Sequence, residues 1–160
     1  MANVFGAGGD SLDLSNNATQ VFVEVLTLAV SALAEREWDH RFAALLALQD
    51  QNVMGRGAVG FDLADLDWGP SAEEREAAKD FVLRVVALAA RRHRWDELGY
   101  DPPHAEAGLR RFRAIVEGFD PATAHPAAGA LPAEGCAACC VRHRVLGALP
   151  LWDGCVFCHG

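Results

Sequence analysis

Residues 15–34, SNNATQVFVEVLTLAVSALA, decide the fold class. Ala18, Phe22, Val25, Leu26, Ala29, Val30 and Leu33 recur at the three- and four-residue steps of an α-helix. Ser15 or Asn17 supplies a side-chain oxygen for the unpaired amides of the first turn. Val21, Val23 and Leu28 widen the apolar stripe. A helix that is apolar over most of its circumference must be covered on most sides, so this one is expected at the centre of a bundle.

On its N-terminal side, residues 1–14 are Gly-rich and weakly patterned, and read as a loose arm. On its C-terminal side, Asp39 is placed to cap a second helix over residues 40–50, with Phe42, Leu45, Leu46 and Trp38 facing inward. One long helix running through Gln49 is the alternative. Residues 51–70, QNVMGRGAVGFDLADLDWGP, read as a long loop, and loops of that length are functional or poorly ordered. Ser71 and Glu74 form a capping box for a third helix, and Glu73, Glu74 and Glu76 complement the positive end of its dipole. Phe81, Val82, Val85, Leu88 and Ala89 make its buried stripe. Asp101, Pro102 and Pro103 read as the cap and first turn of a fourth helix. Leu109, Phe112, Ile115 or Val116, and Phe119 form its inner face. The expected fold is mainly α, a small bundle of about four helices within residues 1–119. Residues 120–135, DPATAHPAAGALPAEG, read as a Pro/Ala/Gly linker to a short metal-binding module at 136–160.

Charge and composition narrow the function. The chain has 160 residues, 51% hydrophobic and 22% charged, which is ordinary for a soluble globular protein. Fourteen basic residues face 22 acidic ones, a net charge of −8. The 136–160 segment holds Arg142 and Arg144 against Asp153, which leaves −9 on residues 1–135. Lys and Arg supply most nucleic-acid affinity, so the body is a poor nucleic-acid binder. The first twenty residues lack a basic and an apolar signal region. The run Val21 to Ala34, about 14 residues with Glu24 inside, is too short to span a bilayer. A cytoplasmic location without membrane association is expected. In a reducing compartment clustered cysteines act as thiolate ligands rather than disulfides.

All five cysteines fall in the tail, as Cys136, Cys139, Cys140, Cys155 and Cys158. Two C-x-x-C pairs, Cys136/Cys139 and Cys155/Cys158, are separated by fifteen residues. Each C-x-x-C turns both sulfurs toward one point, and two such turns complete a tetrahedral zinc shell with metal–sulfur distances of about 2.3 Å. A tail this short cannot hold a core unaided. Zinc binding, on the order of 10 kcal/mol, would be folding energy for it. A c-type haem attachment (C-V-F-C-H) and a redox dithiol compete with this reading. The first requires export and the second an adjacent βαβ pattern, and neither signal is present.

On these residues the tail resembles the zinc-ribbon family of two-knuckle modules, over 136–159 and by the paired spacing alone. The resemblance implies structural Zn²⁺ held by Cys136, Cys139, Cys155 and Cys158. The chain departs from the family in two places. Cys140 stands where a glycine usually follows the first knuckle, and His159 follows the second. Cys140, His143 and His159 are therefore open as substitute ligands, the first two for one of the first pair and His159 for Cys158. Zinc ribbons commonly contact proteins or nucleic acids, so the resemblance also implies a non-enzymatic protein acting through macromolecular interaction.

Other patterns point less sharply. Gly55 to Gly60 matches G-x-G-x-x-G, but no strand-turn-helix context is expected there. Asp62, Asp65 and Asp67 do not fit the Ca²⁺ loop pattern, and read as a solvated acidic loop pinned by Phe61, Leu66 and Trp68. Arg91, Arg92 and Arg94 with Arg110, Arg111 and Arg113 read as helix-end charges paired with Asp96, Glu97 and Glu106, or as a seat for an acidic partner or phosphate. His40, His93, His104 and His125 are scattered, and no nucleophile or P-loop motif occurs. The leading expectation is an intracellular zinc-binding protein with a protein partner, with nucleic acid reachable only through the tail. An acidic neutralising or immunity-type protein that binds a basic partner is the first alternative. An enzyme built on the Asp-rich 51–70 loop is the second.

Overall fold

The computed structural model describes residues 3–49, 58–133, 137–148 and 155–158. These form four α-helices and five short strands. The mainly helical expectation holds at that level, and the strands are additions to it.

The central helix, α1 (Asn16–Leu33), begins where its sequence asks. Ser15 Oγ accepts from the Ala18 amide at 3.3 Å. Ten of its residues are buried, from Thr19 to Val30, because other elements pack around it. The chain turns out of α1 at Ala34 and enters α2 (Glu37–Ala47), so the single long helix is not formed. Asp39 does serve this helix start, but from inside the first turn rather than before it. Its Oδ2 accepts from the amides of Glu35 and Arg36 at 3.1 and 3.0 Å.

The helix α3 (Ala72–Ala90) starts on the expected capping box. Ser71 Oγ accepts from the Glu74 amide, and Glu74 Oε2 accepts from the Ser71 amide. Phe81, Val82, Val85 and Ala89 are buried, and Leu88 is half-buried. The last helix, α4 (Ala105–Gly118), starts later than expected, beyond Asp101 and both prolines. His104, in the left-handed region at φ 60°, forms the corner before it. Leu109, Phe112, Ile115 and Val116 are buried. Arg92 pairs with Glu106 at one end, and Lys79 Nζ donates to the Glu117 and Phe119 carbonyls at the other. Those two ties fix α3 and α4 as antiparallel neighbours.

The N-terminal arm is a correction. Residues 3–14 form a hairpin of β1 (Asn3–Ala7) and β2 (Asp10–Leu14), turned at Gly8 and Gly9. Phe5 and Leu12 pair across it and are buried in the main core. A third strand, β3 (Gly60–Asp62), joins β1 in parallel, so the sheet order is β2-β1-β3. The described part of the 51–70 loop, residues 58–70, is therefore ordered around that strand. Phe61 is half-buried, while Leu66 and Trp68 are buried as expected. Asn3 ties the parts together. Its Nδ2 donates to Thr19 Oγ1 of α1 at 2.8 Å, and its Oδ1 accepts from the Val59 amide at 2.9 Å.

The Pro/Ala/Gly stretch crosses the body in contact with it rather than free of it. The His125 and Ala127 amides donate to the Ala64 and Asp65 carbonyls, Arg41 Nε donates to the Pro132 carbonyl, and Leu131 is buried. The tail then forms a hairpin of β4 (Ala137–Cys140) and β5 (Val145–Ala148), and β5 packs on α1 and α2.

Candidate metal centre

The hairpin turn and one later turn build the site. β4 ends at Cys140, and the chain reverses through residues 141–144 into β5. The Arg144 amide donates to the Cys140 carbonyl at 2.7 Å, and Arg144 takes a left-handed backbone (φ 56°) to close the turn. That conformation costs a non-glycine residue free energy, so the surroundings must hold it. The reversal swings His143 back over Cys140. A second turn, in which the Cys158 amide donates to the Cys155 carbonyl at 3.1 Å, does the same for that pair.

Four ligand atoms converge. His143 Nδ1 lies 3.7 Å from Cys140 Sγ, 3.6 Å from Cys155 Sγ and 3.5 Å from Cys158 Sγ. Cys140 Sγ and Cys158 Sγ are 3.8 Å apart, and all four atoms lie within 4.8 Å of one another. A tetrahedral zinc with sulfur at about 2.3 Å and nitrogen at about 2.05 Å has edges of about 3.8 Å (S···S) and about 3.6 Å (S···N). The three S···N separations and the Cys140–Cys158 separation match those edges.

The electrostatics are those of crowded thiols. The His143 backbone N–H, aided by its ring and the neighbouring thiols, lowers Cys140 from its ordinary value to about 6. Desolvation, and then the adjacent sulfurs, push Cys158 up to about 11. One thiolate is stabilised here, and further negative charge is resisted. A bound dication reverses that resistance.

The body supplies a floor and a clamp. Val145 and Cys155 are buried against Leu28 of α1, with Leu98, Val156 and Phe157 around them. The Leu146 amide donates to Ser31 Oγ at 2.8 Å. Arg94 Nη1 donates to the His143 carbonyl at 2.9 Å, and its guanidinium lies 4.7 Å from the Phe157 ring centroid. Glu97 receives two hydrogen bonds from the same guanidinium and orients it. The hydrogen bond from Arg94 holds the Glu97 carboxyl below its ordinary pKa.

Of the tail residues expected as ligands, Cys155 and Cys158 are in the cluster, as are the substitutes Cys140 and His143. Cys139 is not among the four. It is exposed, and its Sγ faces the Cys140 carbonyl at 3.7 Å. Cys136 and His159 lie outside the described residues. The sequence reading did not give Arg94, Leu28 or Phe157 any part in the site. Arg94 stood out only as one of a basic cluster.

Elsewhere the polar motifs serve the fold. Asp62 Oδ1 accepts from the Ala64 and Gly8 amides, and Asp67 Oδ1 accepts from the Gly69 amide. Asp62 and Asp65 line an open cleft of about 780 Å³ with Asp10, but they form no ligand cluster among the described residues. Of G-x-G-x-x-G, Gly60 is in β3, and residues 55–57 lie outside the described residues. Arg92 pairs with Glu106 and Arg94 with Glu97, as the helix-end reading expects, whereas Arg111 reaches Asp10 and Arg113 reaches Glu117 instead. No described helix is long and apolar enough to cross a membrane. Comparison with protein-family models, with curated proteins and with solved structures finds no match to this chain.

Proposed function

We propose that Cys140, His143, Cys155 and Cys158 bind one structural Zn²⁺, and that the protein acts non-enzymatically through contact with another protein. The tetrahedron-sized cluster of three sulfurs and one imidazole nitrogen carries this reading. Three thiolates and a histidine are a common structural zinc set, and four protein ligands leave no position for a catalytic water. Elemental analysis of protein purified without chelator tests it. About one zinc per chain is expected. A metal-free protein with all thiols reactive, or an iron protein with a visible absorption band, would overturn it.

A second reading concerns the partner. The net charge of −8, with −9 on residues 1–135, favours a basic protein, as in a neutralising or immunity-type interaction. The groove of about 310 Å³ at the starts of α2 and α3 is not itself strongly acidic, since Arg36 and Arg41 line it with Glu37, Asp67 and Glu74. Association should then slow about tenfold or more between 50 and 500 mM salt. An on-rate indifferent to salt would remove this reading and leave the zinc assignment standing.

A further inference from the structure

We infer that the β4–β5 hairpin is a strap latched over α1 by the metal centre, and that a peroxide unlatches it by joining Cys140 to Cys158. The inference rests on the zinc reading above.

The strap has little of its own to hold it. Its strands are four residues each; Val145 and Cys155 are buried against Leu28 with Leu98 beside them, and Leu146 packs half-buried on the main core. Two further ties reach the body, from the Leu146 amide to Ser31 and from Arg94 to the His143 carbonyl. Arg94 acts on a turn that is itself shaped by two of the ligands, Cys140 and His143. The metal therefore fixes the turn, and the turn presents the groups that dock. Without the metal the strained Arg144 backbone is held only by the turn's own hydrogen bond and the Arg94 tie, and the clustered thiols lose the charge that would compensate them.

Position and exposure choose the oxidisable pair. Cys158 is exposed and meets solvent first. Cys140, half-buried, lies 3.8 Å from it. A disulfide needs about 2.05 Å, so the two sulfurs must close by roughly 2 Å, within reach of side-chain rotation in two turn segments. Cys155 is buried against Leu28 and is shielded. Cys139 points away from the cluster.

The chemistry balances with the peroxide as two-electron oxidant. The Cys158 thiolate attacks one peroxide oxygen, breaks the O–O bond and becomes a sulfenic acid, and hydroxide leaves. The Cys140 thiolate then attacks the Cys158 sulfur, forms the S–S bond and expels a second hydroxide. Solvent protons convert both hydroxides to water. Zn²⁺ is left with His143 and Cys155 only, too few ligands to hold it, and departs. A thiol reductant with added zinc reverses the sequence.

The test uses the full-length, zinc-loaded protein titrated with hydrogen peroxide. Released zinc is read with a colorimetric chelator, disulfides by peptide mass spectrometry, and docking by deuterium uptake over 137–148. The expected result is about one zinc released per Cys140–Cys158 disulfide, with uptake in the hairpin at least about tenfold faster and restored by reductant plus zinc. Cys139→Ser should respond like the wild type. Cys158→His, which keeps a ligand and removes the exposed thiol, should retain zinc at peroxide levels that empty the wild type. Zinc loss without that disulfide, a disulfide through Cys139 or Cys155, or unchanged uptake after release would overturn the inference and leave the zinc reading intact. Absence of zinc from the untreated protein would overturn both.

Discussion

Cys139 and Cys140 are neighbours in β4, and a strand sends successive side chains to opposite faces. Only one of the two can look at a given point, and the reversal at residues 141–144 places His143 on the Cys140 side. This separates two ligand sets by mutation. Cys139→Ser should keep about one zinc per chain, whereas Cys140→Ser or Cys155→Ser should lose most of it by elemental analysis. The opposite ranking would return the site to the Cys136/Cys139 pairing. Acidity gives a second check on the same residues. Metal loading must take the proton from Cys158, whose thiol is raised to about 11, so binding releases protons and weakens as pH falls. Cys140, lowered to about 6, is already a thiolate at neutral pH and competes with protons only below that value. Affinity measured against a competing chelator should therefore fall from pH 8 downward, and fall more steeply below about 6. An affinity flat over that range would contradict these ligands.

Among the elements, β3 depends on a glycine. Gly60 sits at φ 133°, and a Cβ there would lie 1.8 Å from the Val4 carbonyl oxygen of the strand it pairs with. Both the backbone and the close approach exclude a side chain. Gly60→Ala should destabilise the protein by about 2–4 kcal/mol, read as a lowered thermal or urea midpoint. A midpoint within error of the wild type would show that the β1–β3 pairing carries no stability. This strand also marks how far the sequence could be read. The helices were legible because apolar period and capping residues agree within one segment, as at Ser15 and Ser71. The β1–β2 hairpin was missed: Gly8-Gly9 between NVFGA and DSLDL is a two-residue turn signal, but the Gly-rich composition read as a loose arm. The parallel pairing of residues 60–62 with β1 has no local signature, because its partner is more than fifty residues away and its hydrogen bonds are backbone ones. The Cys/His cluster was half legible. Spacing found Cys155 and Cys158, but the first knuckle depended on which way a turn folds, and that follows from tertiary contacts with Leu28, Ser31 and Arg94.

For the whole molecule, the question is how strongly the tail and body depend on each other. The body has its own core, in which Phe5, Phe22, Phe61 and Phe112 meet edge-on or tilted and Trp38, Trp68 and Phe81 form a second aromatic group. Its helices are tied by Arg92–Glu106, Lys79 and Asn3, none of which involves the tail. Among the described residues, the tail adds a small apolar seam, Val145 and Cys155 on Leu28 and Leu98, and Leu146 on the main core, and a few polar ties. Removing the metal should therefore leave a folded helical body with an undocked tail. A chelator strong enough to strip the centre should leave the far-ultraviolet circular dichroism helical. It should lower the thermal midpoint by roughly 4–8 °C, taking about 2 kcal/mol for the apolar surface uncovered around Leu28. Proteolysis should then cut within 137–158 while leaving residues 15–118 intact, and added zinc should restore protection. Collapse of the helical signal on chelation would mean that the hairpin is part of the body's folding unit, and that the centre stabilises the whole chain rather than its last segment.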